Sequence, residues 1–291
     1  MLTIDVAIPC NKWQSPTWWG PLMTTSLITA GAGMRIGHVI RATGALTDTA
    51  RNQNVHEFLM AGSDGIMQVD DDTVVHSSAI YRLAELNVPI ASGVYFGRVD
   101  IKAGKEPVPL LYRREEGFYV PIKDYYKGEI IECDGIGMGC SLIRREVFTA
   151  IMEAFVLMER PTGPLLPVHP DHVGRYEGIG CKRYEALMEV KQRDYPFYVF
   201  DNGRTEDFFF LELAAEVGYR PIVDTRLESG HVTEYVIDGD DFWEYQLDQI
   251  DRRERGSAIR SVLVDDPGES GPVQALPDTG PMVECAEGAA L

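Results

Sequence analysis

Apolar and polar positions first alternate in short blocks. Residues 3–9 (TIDVAIP) are β-prone and stop at Pro9, as a buried first strand would. Residues 36–42 (IGHVIRA) predict a second strand, and 21–32 a short helix before it. A helix is expected from Asp48 or Thr49 as cap to about residue 61, with Ala50, Val55, Leu59 and Met60 as apolar contacts. The turn Gly62-Ser63-Asp64-Gly65 leads into the apolar strand GIMQV, which runs directly into Asp70, Asp71 and Asp72. A helix opening at Ser77 or Ser78 and a strand over 88–95 follow. Strand, helix, strand, helix, strand is the pattern of a mainly parallel sheet covered by helices, an α/β fold.

The second half is less regular. Residues 107–133 predict hairpins, and 144–158 a helix. The Pro- and Gly-rich stretch 160–182 predicts a long loop. TEDFFFLELAAEV (205–217) predicts a helix stopped by Gly218, then a late strand at 220–224 and a last helix at 240–255. From residue 256 the chain is Gly-, Pro- and acid-rich and reads as a disordered tail behind one domain over 1–255. No internal repeat is visible.

Charge narrows the partners. With 27 Lys and Arg against 45 Asp and Glu, the formal charge is −18, which disfavours bulk nucleic-acid binding. Five cysteines (Cys10, Cys133, Cys140, Cys181 and Cys285) with no CxxC pair argue for reduced thiols rather than a zinc site or disulfide framework. The N-terminus lacks a basic, long-apolar leader and no 18-residue apolar run occurs, so a cytoplasmic chain with no membrane partner is expected.

The acidic triplet stands out because ligands of open α/β sheets bind beyond the carboxyl ends of strands. Three adjacent carboxylates repel, and a hard divalent cation would relieve that repulsion while bridging to phosphates. The alternative is a solvated acidic turn with Asp72 capping the next helix. Trp13, Trp18 and Trp19 suit either core packing or stacking on a base or sugar. His169 and His172 have metal-like spacing but little supporting context.

Four segments in order resemble family-2-like glycosyltransferases of the GT-A fold. They are Thr49-Ala50-Arg51-Asn52; Ile66 to Thr73 (IMQVDDDT), similar to the DxD element; Asp134 to Arg145 (DGIGMGCSLIRR), similar to the acceptor-side glycine loop; and Thr205-Glu206-Asp207 with Gly218 to Asp224 and Gly230-His231. The resemblance spans about residues 3–235 and implies a GT-A, Rossmann-like mixed but mainly parallel sheet. It also implies Mn²⁺ or Mg²⁺ and a nucleotide-sugar donor, of which a UDP-sugar is the family's usual one. By the same resemblance Asp70, Asp72 and His231 would hold the metal, with Asp70 also near the ribose and Asp71 in support. Arg51 would lie by the base or diphosphate, Pro9 and Cys10 by the base, and Gly137, Met138 and Gly139 by the donor sugar. Asp207, then Glu206, would supply the acceptor-side base. The acceptor hydroxyl could sit on a protein, a glycan, a small molecule or, less in keeping with the charge, a modified nucleobase. Rival readings are a non-catalytic sugar- or nucleotide-binding relative and a nucleotidyltransferase. The latter usually carries a Gly-rich loop with Arg and Lys after strand one, where this chain reads PCNKWQSPTWW.

Overall fold

The computed structural model describes residues 1–10, 31–43, 45–97, 108–163, 165–201 and 203–231. The chain divides into two units, Met1–Thr233 and Glu234–Leu291, and all described residues lie in the first. The Trp13, Trp18 and Trp19 loop, the helix expected at 240–255, the tail and nearly all of the 21–32 helix lie outside the described residues.

In chain order the first unit runs β1 (Thr3–Cys10), β2 (Arg35–Thr43), α1 (Thr47–Ala61), β3 (Gly65–Val69), β4 (Thr73–Val74), α2 (Ala79–Glu85) and β5 (Ile90–Tyr95). Next come β6 (Leu111–Glu115), β7 (Phe118–Pro121), β8 (Ile130–Glu132), β9 (Gly135–Ile136), β10 (Cys140–Arg144) and α3 (Arg145–Ala154). It closes with β11 (Val156–Glu159), β12 (Leu166–Val168), a 3₁₀ turn at Pro170–His172, α4 (Val173–Gly178), β13 (Lys182–Arg183), α5 (Met188–Asp194), α6 (Glu206–Glu216) and β14 (Ile222–His231).

The main sheet has the order β2-β1-β3-β10-β5-β14-β4, with β8 also on β14. Strands β2, β1, β3, β5 and β14 share one direction, while β10 runs against β3 and β5, and β4 and β8 against β14. The sheet is therefore mixed, with a parallel majority. Every residue of β3 and β5 is buried, as strands covered on both faces require. Period-two alternation splits the core. Ala7, Ile66, Ile90 and Ile143 pack with α1, α3 and α6, whereas Ile4, Val6, Met67 and Leu142 pack with α2.

Several expectations need correction. Helix α1 begins at Thr47 behind Leu46, not at a cap on Asp48 or Thr49; Asp48 instead accepts from the Thr49 amide at 2.7 Å. Phe58, not Met60, is its large core residue, since Met60 is 54% exposed. The helix expected over 144–158 ends at Ala154, where Phe155 turns extended (φ −104°, ψ 143°) and the β-prone Val156 and Leu157 start a strand. Apolar periodicity alone does not separate those halves. Residues 160–182 are not one loop. They hold β12, paired with β11, and Pro170 opens a 3₁₀ turn that leads into α4, a position where its missing N–H loses no bond. Within 134–145, Cys140–Arg144 forms β10 between β3 and β5. The late strand reaches His231 rather than ending at Asp224.

Candidate functional site

The carboxyl ends of β1 and β3 meet the start of α1, the 137–139 turn and the start of α6 around a cleft of about 370 Å³. Pro9, Arg51, Asp70, Asp71, Asp72, Gly137, Glu206 and Asp207 all line it. Eight of the residues singled out from sequence as binding or catalytic thus share one concavity of the size small ligands use. A larger groove of about 720 Å³ opens at the other end of the strands, beside Leu2, Asp64 and Val88. Its Arg145 is committed to the carbonyls of Phe58, Leu59 and Ser63, tying off the end of α1, so that groove carries no comparable chemistry.

At the centre of the cleft wall is Arg51, only 2% exposed. Its guanidinium lies 2.9 Å from Asp70 Oδ1, 3.2 Å from Asp207 Oδ1 and 3.5 Å from Glu206 Oε1. Burial opposes its charge, but Asp70, Asp207 and Glu206 outweigh that, and its pKa rises above the ordinary value. Its Nε and Nη2 therefore face acids of the chain itself, joining the strand-end triplet to the first turn of α6.

Asp207 shows the converse balance. Burial, then the neighbouring negative charges of Glu206 and Asp70, push its carboxyl up to about 7, against the pull of Arg51 and of the Met138 N–H, which donates to Oδ2 at 3.3 Å. A carboxyl titrating near neutrality is suited to accepting a proton at physiological pH. The start of α6 is fixed from behind by Arg204, which pairs with Asp201 at 3.0 Å and Glu212 at 2.5 Å, while Arg160 reaches Asp201 at 3.0 Å.

Asn52, next to Arg51, is a functional support that the sequence pattern leaves unassigned. Its side chain clamps the Tyr198 backbone both ways, donating to the carbonyl at 2.7 Å and accepting from the N–H at 3.0 Å. Tyr198, fully buried and stacked on Phe210 at 4.8 Å, lies behind Arg51. Only an Asn directly after the Arg hints at this role, and such a dipeptide has no specific pattern. Tyr95, at the end of β5, is the other addition: its hydroxyl donates to Asp72 Oδ1 at 3.4 Å. Burial and the nearby Asp70 keep that phenol neutral.

The 137–139 turn contacts the site in three different ways. Gly137 lines the cleft, Met138 is buried beneath Asp207, and Gly139 packs under Tyr95. A Cβ at Gly137 would lie 2.9 Å from both Leu110 and Tyr95, so bare backbone is needed here to seat those side chains. Cys10 reaches the cleft end of β1 by backbone pairing with Thr43. His231 pairs with Thr73 across β14 and β4, which sets its backbone beside the residue following Asp72.

Metal fit follows from the donor set. Asp70, Asp71 and Asp72 are half-buried carboxylates at one strand end, oxygen donors of the kind hard divalent cations take. Among the described residues no three His, Cys, Asp or Glu side chains gather into a metal-holding group. Mg²⁺-type sites commonly use one or two carboxylates with substrate phosphates completing the shell, so the residues present suit a cation that arrives with a phosphorylated ligand. His169 and His172, with ring centres 5.9 Å apart, lie on another cavity beside Phe155 and Glu216.

No helix among the described residues is long and apolar enough to cross a membrane. No protein-family model matches the chain, and no curated protein matches it. Among solved structures it resembles A197 from STIV, at 18% identity with a TM-score of 0.44 over 80% of this chain and 87% of that one. It also resembles GalNAc-T7, crystallised with UDP, GalNAc and Mn²⁺, at 12% identity with a TM-score of 0.39 over 82% of this chain and 45% of that one.

Proposed function

We propose that this chain is a metal-dependent glycosyltransferase of GT-A type, moving a sugar from a nucleoside-diphosphate sugar, in first place a UDP-sugar, to an acceptor hydroxyl. The observation that carries the reading is the convergence on one cleft of two carboxylate sets with different tasks, the strand-end triplet and the Glu206–Asp207 pair, held together by the buried Arg51. A simple acidic turn needs no such second set.

In this reading Asp70, Asp72 and His231 hold Mn²⁺ or Mg²⁺, with Asp71 in support. Such a cation, when bound, neutralises the charge that grows on the departing diphosphate. Pro9 and Cys10 border the base, and Gly137 to Gly139 the donor sugar. The donor's glycosidic C–O bond breaks with its electron pair leaving on the nucleoside diphosphate. A new C–O bond forms to the acceptor oxygen, whose proton passes to Asp207. Burial keeps Asp207 basic enough for that task, and Glu206 is the second candidate. Arg51, on the cleft wall, borders the base or diphosphate and fixes the positions of Asp70 and Asp207.

A nucleotide-release assay tests this. The purified chain is offered UDP- and GDP-sugars with and without Mn²⁺. Release of nucleoside diphosphate without pyrophosphate, dependent on Mn²⁺ and lost in Asp72→Asn, is the expected result. Pyrophosphate release would instead indicate a nucleotidyltransferase, and tight donor binding without turnover a non-catalytic binder.

A further inference from the structure

A second cavity lies one helical turn beyond Asp207. The small sheet β7-β6-β9 presents one face on which Leu110, Tyr112, Gly135 and Gly137 stand together. A Cβ at Gly137 would touch Leu110, and one at Gly135 would touch Tyr112 at 3.2 Å. Leu110 and Gly137 line the catalytic cleft, so this face continues out of it. Phe208, the residue after Asp207, lies on the same face. Its ring stacks on Tyr119 (4.1 Å between centres, 6° between planes) and meets Tyr112 edge-on at 5.1 Å. Gly135 makes room for it, because a Cβ there would be 2.6 Å from the Phe208 ring.

Past this aromatic step the space between the β6–β7 hairpin and α6 opens into a groove of about 450 Å³. Arg114, Tyr119, Asp134, Glu212 and Arg220 supply its polar rim, with Ala215 on its helical wall. The two arginines are about half exposed, at 52% and 53%, although Arg114 lies 3.9 Å from Glu212 and Arg220 pairs with Asp134. Two cations against two carboxylates give the groove no net charge, in a chain of −18. Neither a phosphate backbone nor a peptide of one sign is favoured. A neutral polyol with an apolar ring face is, since the partly exposed Tyr119 ring offers apolar area on the groove wall and the charged rim offers donors and acceptors. From Asp207 to Glu212 is five residues of helix, roughly 7.5 Å along its axis.

We propose that this groove binds the non-reacting sugars of an oligosaccharide acceptor and delivers its terminal hydroxyl to Asp207. The inference rests on the glycosyltransferase reading and names its acceptor class.

The test uses the full chain and two separate readouts. Saturation-transfer NMR and calorimetry with chitohexaose, cellohexaose, maltohexaose and their monosaccharides read the groove. Thermal shift with UDP plus Mn²⁺ reads the donor site. At least one hexasaccharide should bind more than tenfold tighter than its monosaccharide, and lose at least tenfold in Ala215→Trp, which fills the groove from an exposed position without removing any packing. Tyr119→Ala should show the same loss. Hexasaccharide binding that Ala215→Trp leaves unchanged overturns the proposal. So does a chain that binds UDP and Mn²⁺ but no hexasaccharide, an outcome that leaves the donor reading standing. Hexasaccharide binding lost in Ala215→Trp, with no response to UDP and Mn²⁺, supports the groove and removes the donor reading.

Discussion

Arg51→Met isolates the guanidinium's role, because Met fills much of the same volume and carries no charge. In the wild-type protein one buried cation faces three carboxylates whose side chains are only 21%, 8% and 18% exposed (Asp70, Glu206 and Asp207). Removing one partner of a buried ion cluster costs about 3–5 kcal/mol, because the remaining charges stay buried without compensation. That is a large part of the roughly 5–15 kcal/mol that holds a typical domain together. The loss must depend on pH, and its sign follows from linkage. Without Arg51 the Asp207 carboxyl, already raised by burial, loses the cation that holds it down and rises further, so the native state binds more protons than the unfolded chain. Stability is then best retained at low pH and declines as pH rises through that raised value. Urea unfolding followed by circular dichroism should therefore show a loss of about 3–5 kcal/mol at pH 8 and a loss smaller by about 1–2 kcal/mol at pH 5. Arg51→Lys should recover part of the stability, although an ammonium cannot reproduce the fork. A loss under about 1 kcal/mol at pH 8, or one equal at both pH values, would refute the view that Arg51 neutralises a buried acidic cluster.

Three further outcomes are expected. Asp207→Asn should lower turnover by about 10²–10⁴-fold, the usual contribution of a general base. It should also flatten the stability decline between pH 4 and 7, since raising the carboxyl from 3.8 to about 7 corresponds to roughly 4 kcal/mol at most; a parallel wild-type and variant pH curve would contradict this. Asn52→Ala should destabilise by about 1–3 kcal/mol, because it strands the N–H and carbonyl of buried Tyr198, and chemical denaturation reads it directly. Gly137→Ala should cost about 1–3 kcal/mol through overpacking against Leu110 and Tyr95, and should slow turnover more than it weakens donor binding; a neutral result in both assays would mean that the turn yields easily.

The parts of this molecule that were legible from sequence are those where a single local pattern had one physical solution. GIMQV has no polar face to offer water except Gln68, so it had to be a strand covered on both sides, and that placed Asp70 to Asp72 at a strand end. TEDFFFLELAAEV placed Glu206 and Asp207 in a first helical turn in the same way. What the pattern could not carry is pairing across long separations. Cys140–Arg144 reads as the continuation of a glycine loop, and only the gap between β3 and β5 makes it a strand. Val156 and Leu157 extend the apolar stripe of α3, and only β12 draws them into a sheet. The same limit explains Arg51. On a helix it suggests a solvent-facing fork ready for phosphate, and nothing between residues 47 and 61 discloses that acids 19 and 156 positions further along will close over it. Its geometry requires that any movement of α6 relative to β3 separate a buried cation from one of its carboxylates. The first turn of α6 and the carboxyl end of β3 are thus joined through one buried side chain, and the cleft between them takes its width from that ion cluster.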